Sequence, residues 1–165
     1  MKKLLLFLLV VSISAYTVSA STNTSGTRYI KTYYADGTME SEGWLKQDSK
    51  DGYWKFYYEN GNLASEGHYR RGKRNGYWFY YYVNGRIKKE GHFVNDSAEK
   101  WWIFYEIGGR KKSKFQYVNN KKNGYCLRYE NGSLKRAESY KDGKKLNEWT
   151  SYRAFRKDNP DVSIK

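Results

Sequence analysis

Large apolar side chains recur along this chain at a step of 24 residues, and polar turn residues recur at the same step between them. Trp54, Trp78 and Trp102 follow this step, and Trp149 comes 47 residues later. Self-similarity at a period of this size is typical of an array in which each unit buries its apolar face against its neighbours. The pattern therefore predicts a repeat domain over residues 28–155, with units beginning near residues 28, 52, 76, 100, 124 and 147.

Each unit also carries a residue pair suited to a tight hairpin. These pairs are Asp36-Gly37, Asn60-Gly61, Asn84-Gly85, Gly108-Gly109 and Asn131-Gly132. Such pairs favour a two-residue type I′ turn, in which both residues need a positive φ. Aromatic and β-branched runs precede the turns, and no stretch has sustained helical spacing. We therefore predict an all-β fold, an elongated single antiparallel β-meander of tandem hairpins with about eleven strands.

A two-residue turn would fix the register of each hairpin. The predicted partners in the second unit are Trp54–Gly67, Lys55–Glu66, Phe56–Ser65 and Tyr58–Leu63. Those in the third unit are Trp78–Gly91, Phe79–Glu90 and Tyr82–Ile87. One face is then buried or semi-buried and comprises Trp54, Phe56, Tyr58, Leu63, Gly67 and Tyr69. The other face looks solvated and comprises Tyr53, Lys55, Tyr57, Glu66 and His68.

The fifth unit allows two registers. A count of 24 residues from Trp102 puts Cys126 in the tryptophan position. A count back from Asn131-Gly132 instead puts Tyr125 there, opposite Glu138, and Cys126 on the other face. Because a hairpin turn acts locally, we expect the second register.

The repeat unit resembles the MORN-repeat family, specifically the variant repeats of bacterial antitoxin-like proteins. The residues that carry the resemblance in the second unit are Gly52-Tyr53-Trp54, Tyr57-Tyr58, Asn60-Gly61, Leu63, Glu66-Gly67, Tyr69 and Gly72-Lys73. The third unit repeats most of them, from Gly76-Tyr77-Trp78 to Phe93. The resemblance covers roughly residues 28–150. It implies contact with a protein or an anionic lipid and carries over no catalytic residue.

The first twenty residues are typical of a secretory signal peptide. Lys2-Lys3 precede an apolar run, and Val18-Ser19-Ala20 offers a small-residue cleavage site. A retained membrane anchor is the alternative. We expect cleavage after Ala20, a short linker at residues 21–27, no transmembrane segment thereafter and a flexible tail at residues 156–165. The protein is then exported to the periplasm, the cell envelope or the medium, and its source is bacterial.

The net charge of the chain limits the kinds of molecule that we expect it to bind. The chain has a net charge of +14, and removal of Lys2 and Lys3 with the signal peptide leaves +12. Such a charge favours anionic lipids, acidic glycans or cell-wall phosphates, and export makes nucleic acid the least favoured anion. Cys126 is the only cysteine and excludes an internal disulfide. No glycine loop is placed to cradle a phosphate, and we expect no cofactor.

Basic and aromatic residues supply the candidate binding site. Cationic side chains cluster at the connections and at the hairpin turns, with tyrosines on the solvated face between them. Tyrosine with arginine is favoured at binding interfaces. The candidate binding residues are Tyr53, Tyr57, Tyr77, Tyr81, Arg70, Arg71, Lys73, Arg74, Lys88 and Lys89. The alternative is that edge lysines only keep an open sheet soluble and unpaired.

Two other groups of residues are weaker candidates, one for a catalytic site and one for a metal site. Glu42, Glu66 and Glu90 form a column about 9–10 Å apart, near the carboxylate separation of inverting glycosidases. Lys55 opposite Glu66 explains the column more simply as a charge pair. His68 and His92 also lie one repeat apart, but no third ligand is spaced to complete a metal site.

The leading hypothesis is thus a non-enzymatic exported repeat module that binds a protein or an anionic surface. The alternative is an antitoxin or immunity-like protein that neutralises an exported toxin.

Overall fold

The computed structural model describes residues 26–162. The predicted signal peptide at residues 1–20, most of the linker and the last three residues of the tail lie outside the described residues. The strands are β1 (Thr27–Tyr33), β2 (Met39–Lys46), β3 (Ser49–Tyr57), β4 (Leu63–Arg70), β5 (Lys73–Tyr81), β6 (Ile87–Val94), β7 (Ser97–Tyr105), β8 (Lys111–Val118), β9 (Lys121–Glu130), β10 (Ser133–Lys141) and β11 (Lys144–Trp149). The helix α1 (Tyr152–Asp158) follows β11.

The eleven strands form one antiparallel sheet, in which each strand pairs with the next along the chain. This confirms the predicted all-β meander of tandem hairpins. Strands alternate their side chains between two faces. The tryptophan face carries Trp54, Phe56, Tyr69, Trp78, Tyr80, Phe93, Trp102, Phe104 and Phe115, and most of these rings contact one another. The opposite face, which we call the tyrosine face, carries Tyr53, Tyr57, Tyr77, Tyr81, Tyr105, Glu42, Glu66, Glu90, His68 and His92.

Each core tryptophan packs on a glycine of the strand before it. Trp54 pairs with Gly67 in the register, as predicted. Its indole, however, lies against Gly43 on β2 and leaves no room there for a Cβ atom. The ring nitrogen of Trp54 donates to the carbonyl oxygen of Trp44 at 2.9 Å. Because both backbone and neighbouring rings cover the indole, Trp54 is only 1% exposed in a single-layer sheet.

A bulge in β3 makes that indole hydrogen bond possible. Gly43 pairs with Trp54 but Trp44 pairs with Asp51, so that two residues of β3 have no partner on β2. One of them, Gly52, has a φ of 73°, a conformation that glycine adopts without steric cost. The same bulge recurs between β4 and β5 and between β6 and β7.

The prediction of type I′ turns at the Asn-Gly pairs is wrong for four of the five. At the β3–β4 loop, Gly61 has a φ of 81° but Asn60 has no positive φ. The N–H of Gly61 donates to the Tyr58 oxygen, and the N–H of Tyr58 donates to the Asn62 oxygen, both at 2.8 Å. This is a three-residue loop with glycine in the left-handed position. The two-residue turns with both φ values positive lie at Asn131-Gly132 and at the polar connections Gln47-Asp48, Arg71-Gly72, Asn95-Asp96, Asn119-Asn120 and Asp142-Gly143.

The predicted register nevertheless holds away from the loop, because two effects cancel. The three-residue loop moves the pairing by one residue, so that Leu63 pairs with Tyr57 and not with Tyr58. A bulge at Ala64 moves it back, and Phe56–Ser65, Lys55–Glu66 and Trp54–Gly67 pair as predicted. The third unit behaves alike, with Ile87 opposite Tyr81 rather than Tyr82. Leu63 therefore lies beside Tyr57 and not on the buried face.

The fifth unit shows the bulge without the compensating loop, and the predicted register is wrong there. Asn131-Gly132 makes a true two-residue turn, and a bulge at Lys135 then shifts the pairing by one. Glu138 consequently pairs with Cys126, which occupies the tryptophan position and is 1% exposed. Tyr125 lies on the other face, where its ring contacts Phe155.

The helix α1 is a correction to the expected strand up to residue 155 and the tail after it. Ser151 caps its N-terminus by accepting a hydrogen bond from the Ala154 N–H. Phe155, fully buried, packs with Leu127 and Ala137 on the tyrosine face at the C-terminal end of the sheet. The helix thus covers an apolar part of the tyrosine face for which the repeat pattern predicted no covering element.

Candidate functional site

The four predicted tyrosines lie together on the tyrosine face, but their hydroxyl groups are not free. The Tyr57 hydroxyl donates to Glu42 Oε1 at 2.7 Å, and the Tyr81 hydroxyl donates to Glu66 Oε1 at 2.6 Å. Tyr105, which is not among the residues predicted from the sequence, repeats this contact with Glu90 at 2.6 Å. The 15-residue spacing from each glutamate to its tyrosine is the signal that could have revealed the contact.

A second tyrosine lies beside each of these carboxylates. Burial, and after it the hydrogen bond to Glu66, raises the pKa of Tyr53 to about 12. Burial and then the charge of Glu90 raise the pKa of Tyr77 to about 12. We call the three resulting groups the Tyr–Glu clusters: Tyr29–Glu42–Tyr57, Tyr53–Glu66–Tyr81 and Tyr77–Glu90–Tyr105.

The hydrogen bond of the first cluster favours an anionic Glu42 and a neutral Tyr57. The hydroxyl of Tyr57 holds the pKa of Glu42 below its usual value. Burial and the bond to Glu42 in turn raise the pKa of Tyr57. Lys55 does lie opposite Glu66, as predicted, but the carboxylate hydrogen-bonds Tyr81 and makes no ion pair within residues 26–162. The tyrosine contacts, and not a charge pair, therefore account for this position.

An aromatic pair flanks each cluster. Tyr53 meets His68 edge to face at 4.9 Å, and Tyr77 meets His92 at 5.1 Å. In the first cluster Trp44 takes the place of histidine against Tyr29, at 5.2 Å. Burial lowers the pKa of His92, so this ring is neutral at neutral pH.

The series of clusters ends at the fourth unit. Lys114 stands one repeat after Glu90, and Trp101 stands one repeat after Tyr77. The ammonium group of Lys114 lies 5.9 Å from the ring of Tyr129, a cation–π contact that the first three units do not have at this position. The tyrosine face is thus uniform over three units and different beyond them.

The predicted basic residues are not brought together into one site. Arg74 lies on the tryptophan face, where its Nε donates to Asp96 at 2.8 Å and its guanidinium covers Phe93 at 4.0 Å. Lys89 covers the ring of Tyr80 on the same face at 4.5 Å, and burial lowers its pKa. Lys88 lies near the hairpin loops, 5.6 Å from the ring of Tyr82. These three cations have structural partners.

Arg70, Arg71 and Lys73 differ, because they form no ion pair within the described part of the chain. They surround the β4–β5 turn, in which Arg71 has a φ of 52° and its N–H donates to Asp51 Oδ1 at 3.2 Å. An open groove beside this turn is lined by Lys46, Gln47, Ser49, Asp51, Arg70 and Arg71. We call Lys46, Arg70, Arg71 and Lys73 the basic rim.

The arrangement of the described side chains does not favour metal binding or thiol chemistry. Among residues 26–162, no three or more His, Cys, Asp or Glu side chains are arranged to hold a metal ion. Burial raises the pKa of the Cys126 thiol to about 12, which keeps the thiolate form scarce. In the same part of the chain, no helix has the length and apolar character needed to cross a membrane.

Comparison with known proteins agrees with the repeat geometry. Residues 50–71 and 74–95 match the family model described as MORN repeat variant. The first match spans β3 and β4, and the second spans β5 and β6, so each match coincides with one hairpin. No curated protein matches the chain. MORN repeats are generally modules that bind proteins or membranes. The two matches and the hairpins that carry them identify the segment from residue 50 to residue 95 as two MORN repeats of the variant type.

Proposed function

We propose that this chain is a non-enzymatic exported module that binds an anionic surface through the basic rim. The observation that carries the proposal is that Arg70, Arg71 and Lys73 make no ion pair with any of residues 26–162, whereas Arg74 and Lys89 nearby contact Asp96 and Tyr80 within the sheet. Cations held near one another without a carboxylate partner raise the local positive potential and attract anions. Arginine also forms paired hydrogen bonds with phosphate oxygens.

Two further features support an anionic surface rather than a small anion. The net charge, +14 for the full chain and +12 without Lys2 and Lys3, adds a long-range attraction to any extended negative surface. The groove at the basic rim is open, and a polymer or a lipid layer can approach it without entering a closed cavity. Binding to proteins or membranes is also the general role of the repeat.

The direct test is co-sedimentation of the chain without residues 1–20 with phosphatidylcholine vesicles that contain or lack phosphatidylglycerol. We expect binding only to the anionic vesicles and a marked loss at high salt, because salt screens exposed charges. The triple variant Arg70→Ser, Arg71→Ser and Lys73→Ser should weaken binding by about tenfold or more, since each lost surface charge contributes about 1 kcal/mol.

A matched control separates the rim from net charge. Lys135→Ser, Arg153→Ser and Lys157→Ser remove the same charge from exposed positions elsewhere. We expect this variant to retain most of the binding. Equal losses in both triple variants would reduce the effect to net charge and overturn the assignment of the rim. Vesicle binding that ignores charge, or a protein captured in a salt-insensitive manner, would overturn the anionic surface itself.

A further inference from the structure

We propose that the tyrosine face binds a linear β-1,4-linked glycan, with one disaccharide at each Tyr–Glu cluster. This surface is distinct from the basic rim and does not depend on the proposed function. The spacing of the clusters, their hydrogen-bonding capacity, the rings beside them and the charge around them all favour such a ligand.

The clusters recur at the same register position on every second strand. Equivalent residues lie two strands apart, which corresponds to about 9–10 Å. In an extended β-1,4-linked glycan, alternate sugars present the same face, and the two-sugar repeat has nearly this length. A chain laid perpendicular to the strands would therefore meet each cluster with an equivalent sugar. The match arises from strand spacing alone and requires no movement of the sheet.

The hydrogen-bonding capacity of the clusters calls for a ligand rich in donors. Each of Tyr57, Tyr81 and Tyr105 donates its only hydroxyl proton to a glutamate, at 2.6–2.7 Å. What remains toward solvent is acceptor capacity: lone pairs on the phenol oxygens and on the carboxylates. Sugar hydroxyl groups and acetamido N–H groups are donors of the required kind.

Aromatic rings stand beside these acceptors. Tyr53 is 39% exposed, and the Tyr53–His68 and Tyr77–His92 pairs recur at the same two-strand step. A sugar ring has an apolar C–H face and a polar hydroxyl edge. It suits a surface in which an aromatic ring adjoins a fixed acceptor. A repeating series of such pairs favours an extended polymer over a compact ligand.

Charge disfavours the main competing ligand, a basic peptide. Lysine and arginine side chains could also donate to the clusters, but Lys55 already lies between Glu42 and Glu66 in the register, and Lys31 forms an ion pair with Glu42 at 3.7 Å. The chain as a whole carries +14. A neutral polyhydroxyl ligand gains the same hydrogen bonds without this repulsion.

The length of the site follows from where the series ends. Lys114 interrupts the column after Glu90, and beyond it Phe155 covers Leu127 on the same face. Three clusters remain, which corresponds to six sugars.

Calorimetric titration with β-1,4-linked N-acetylglucosamine oligomers tests the inference. We expect the affinity to rise by about tenfold or more from two sugars to six and to change by less than about twofold beyond six, because further sugars reach no cluster. Tyr57→Phe with Tyr81→Phe removes two cluster hydroxyls. The six-sugar oligomer should then bind about as weakly as two sugars bind the unmodified chain.

The matched control is Tyr69→Phe with Tyr117→Phe, the same chemical change on the tryptophan face. It should bind as the unmodified chain does, and circular dichroism should show both variants folded. The inference fails if six sugars do not bind, if affinity is independent of length, or if the control loses affinity equally. It also fails if a hexalysine peptide binds through Tyr57 and Tyr81 in place of the glycan.

Discussion

The indole of Trp78 rests on the backbone of Gly67, and its ring nitrogen donates to the carbonyl oxygen of His68 at 3.0 Å. The same relation joins Trp54 to Gly43 and Trp102 to Gly91. One apolar contact and one hydrogen bond are thus repeated at three successive steps of the repeat. Because each of these tryptophans reaches back to the preceding strand, the contact ties the second, third and fourth hairpins each to the one before it.

Substitution of Gly67 by alanine should destabilise the fold. The added Cβ would overlap the Trp78 ring, which is 1% exposed and has no space to retreat. Overpacking of this kind costs about 1–3 kcal/mol. Urea denaturation of Gly67→Ala should show a lower midpoint. Gly108→Ala is the control, because its Cβ would meet nothing closer than 3.9 Å and its φ is not positive. A midpoint for Gly67→Ala equal to that of the control would contradict the stacking of tryptophan on glycine.

Lys100 should be improved by glycine. It has a φ of 62° at the position where Gly52 and Gly76 have 73° and 83°. A left-handed conformation costs a non-glycine residue about 1–2 kcal/mol, partly offset by the greater freedom of glycine in the unfolded chain. We expect Lys100→Gly to gain up to about 1 kcal/mol in the free energy of unfolding. Lys112→Gly, in a regular part of β8, should lose stability. Loss of stability in both variants would refute the strain at Lys100.

The Tyr–Glu clusters should make stability depend on alkaline pH. The pKa values of Tyr53 and Tyr77 are raised from 10.0 to about 12 in the folded state. A raised pKa means that the folded state holds the proton more tightly, so the contribution is fully present below pH 10 and is lost as pH rises toward 12. The free energy of unfolding should therefore fall across this interval, as measured by urea denaturation. Tyr53→Phe with Tyr77→Phe should flatten the decline, and an unchanged slope would argue against the raised pKa values.

Cys126 should be inert in the folded protein. Its thiol is buried and its pKa is raised to about 12, so a reagent cannot easily reach the sulfur and little of the reactive thiolate is present. A chromogenic disulfide reagent at neutral pH should react slowly with the native chain and rapidly in concentrated urea. Fast reaction without urea would place the thiol outside the tryptophan position.

Loss of the Phe155 ring should detach the helix from the sheet. Phe155 is fully buried against Leu127 and Ala137, and truncation of such a ring costs about 3–5 kcal/mol. Thermal unfolding of Phe155→Ala should show a clear drop in midpoint. Tyr152→Ala removes a ring that is 52% exposed and should change stability little. Equal effects would mean that the helix contributes no packing of its own.

Much of the fold could be predicted because the same pattern of aromatic, glycine and turn residues occurs in several units. The 24-residue step identified the strands and the order of the hairpins. The pairing of Trp54 with Gly67 was predicted correctly only because the three-residue loop and the bulge at Ala64 cancel. The turn type itself was not predictable from Asn-Gly alone, because the same pair suits a two-residue and a three-residue loop. Only Asn131-Gly132 takes the former. There the bulge at Lys135 goes uncompensated and places Cys126, not Tyr125, in the core.

The site was harder to predict than the fold. Alternation placed Tyr57 and Tyr81 on one face, but the hydrogen bonds to Glu42 and Glu66 join strands adjacent in space and are invisible in single-strand patterns. The helix had local signals that the repeat obscured: Ser151 as an N-cap and Pro160 shortly after its end. Arg74 looked like the other rim cations, and only the position of Asp96 across the next turn distinguishes it.

The most direct test of the binding surface is an NMR titration of the isotope-labelled chain, lacking residues 1–20, with phosphatidylglycerol nanodiscs. We expect amide signals of Lys46 and of residues 70–73 to shift or broaden first, while the indole signals of Trp54, Trp78 and Trp102 stay in place. Perturbation centred on the indoles, or spread evenly over the sheet, would contradict binding at the basic rim.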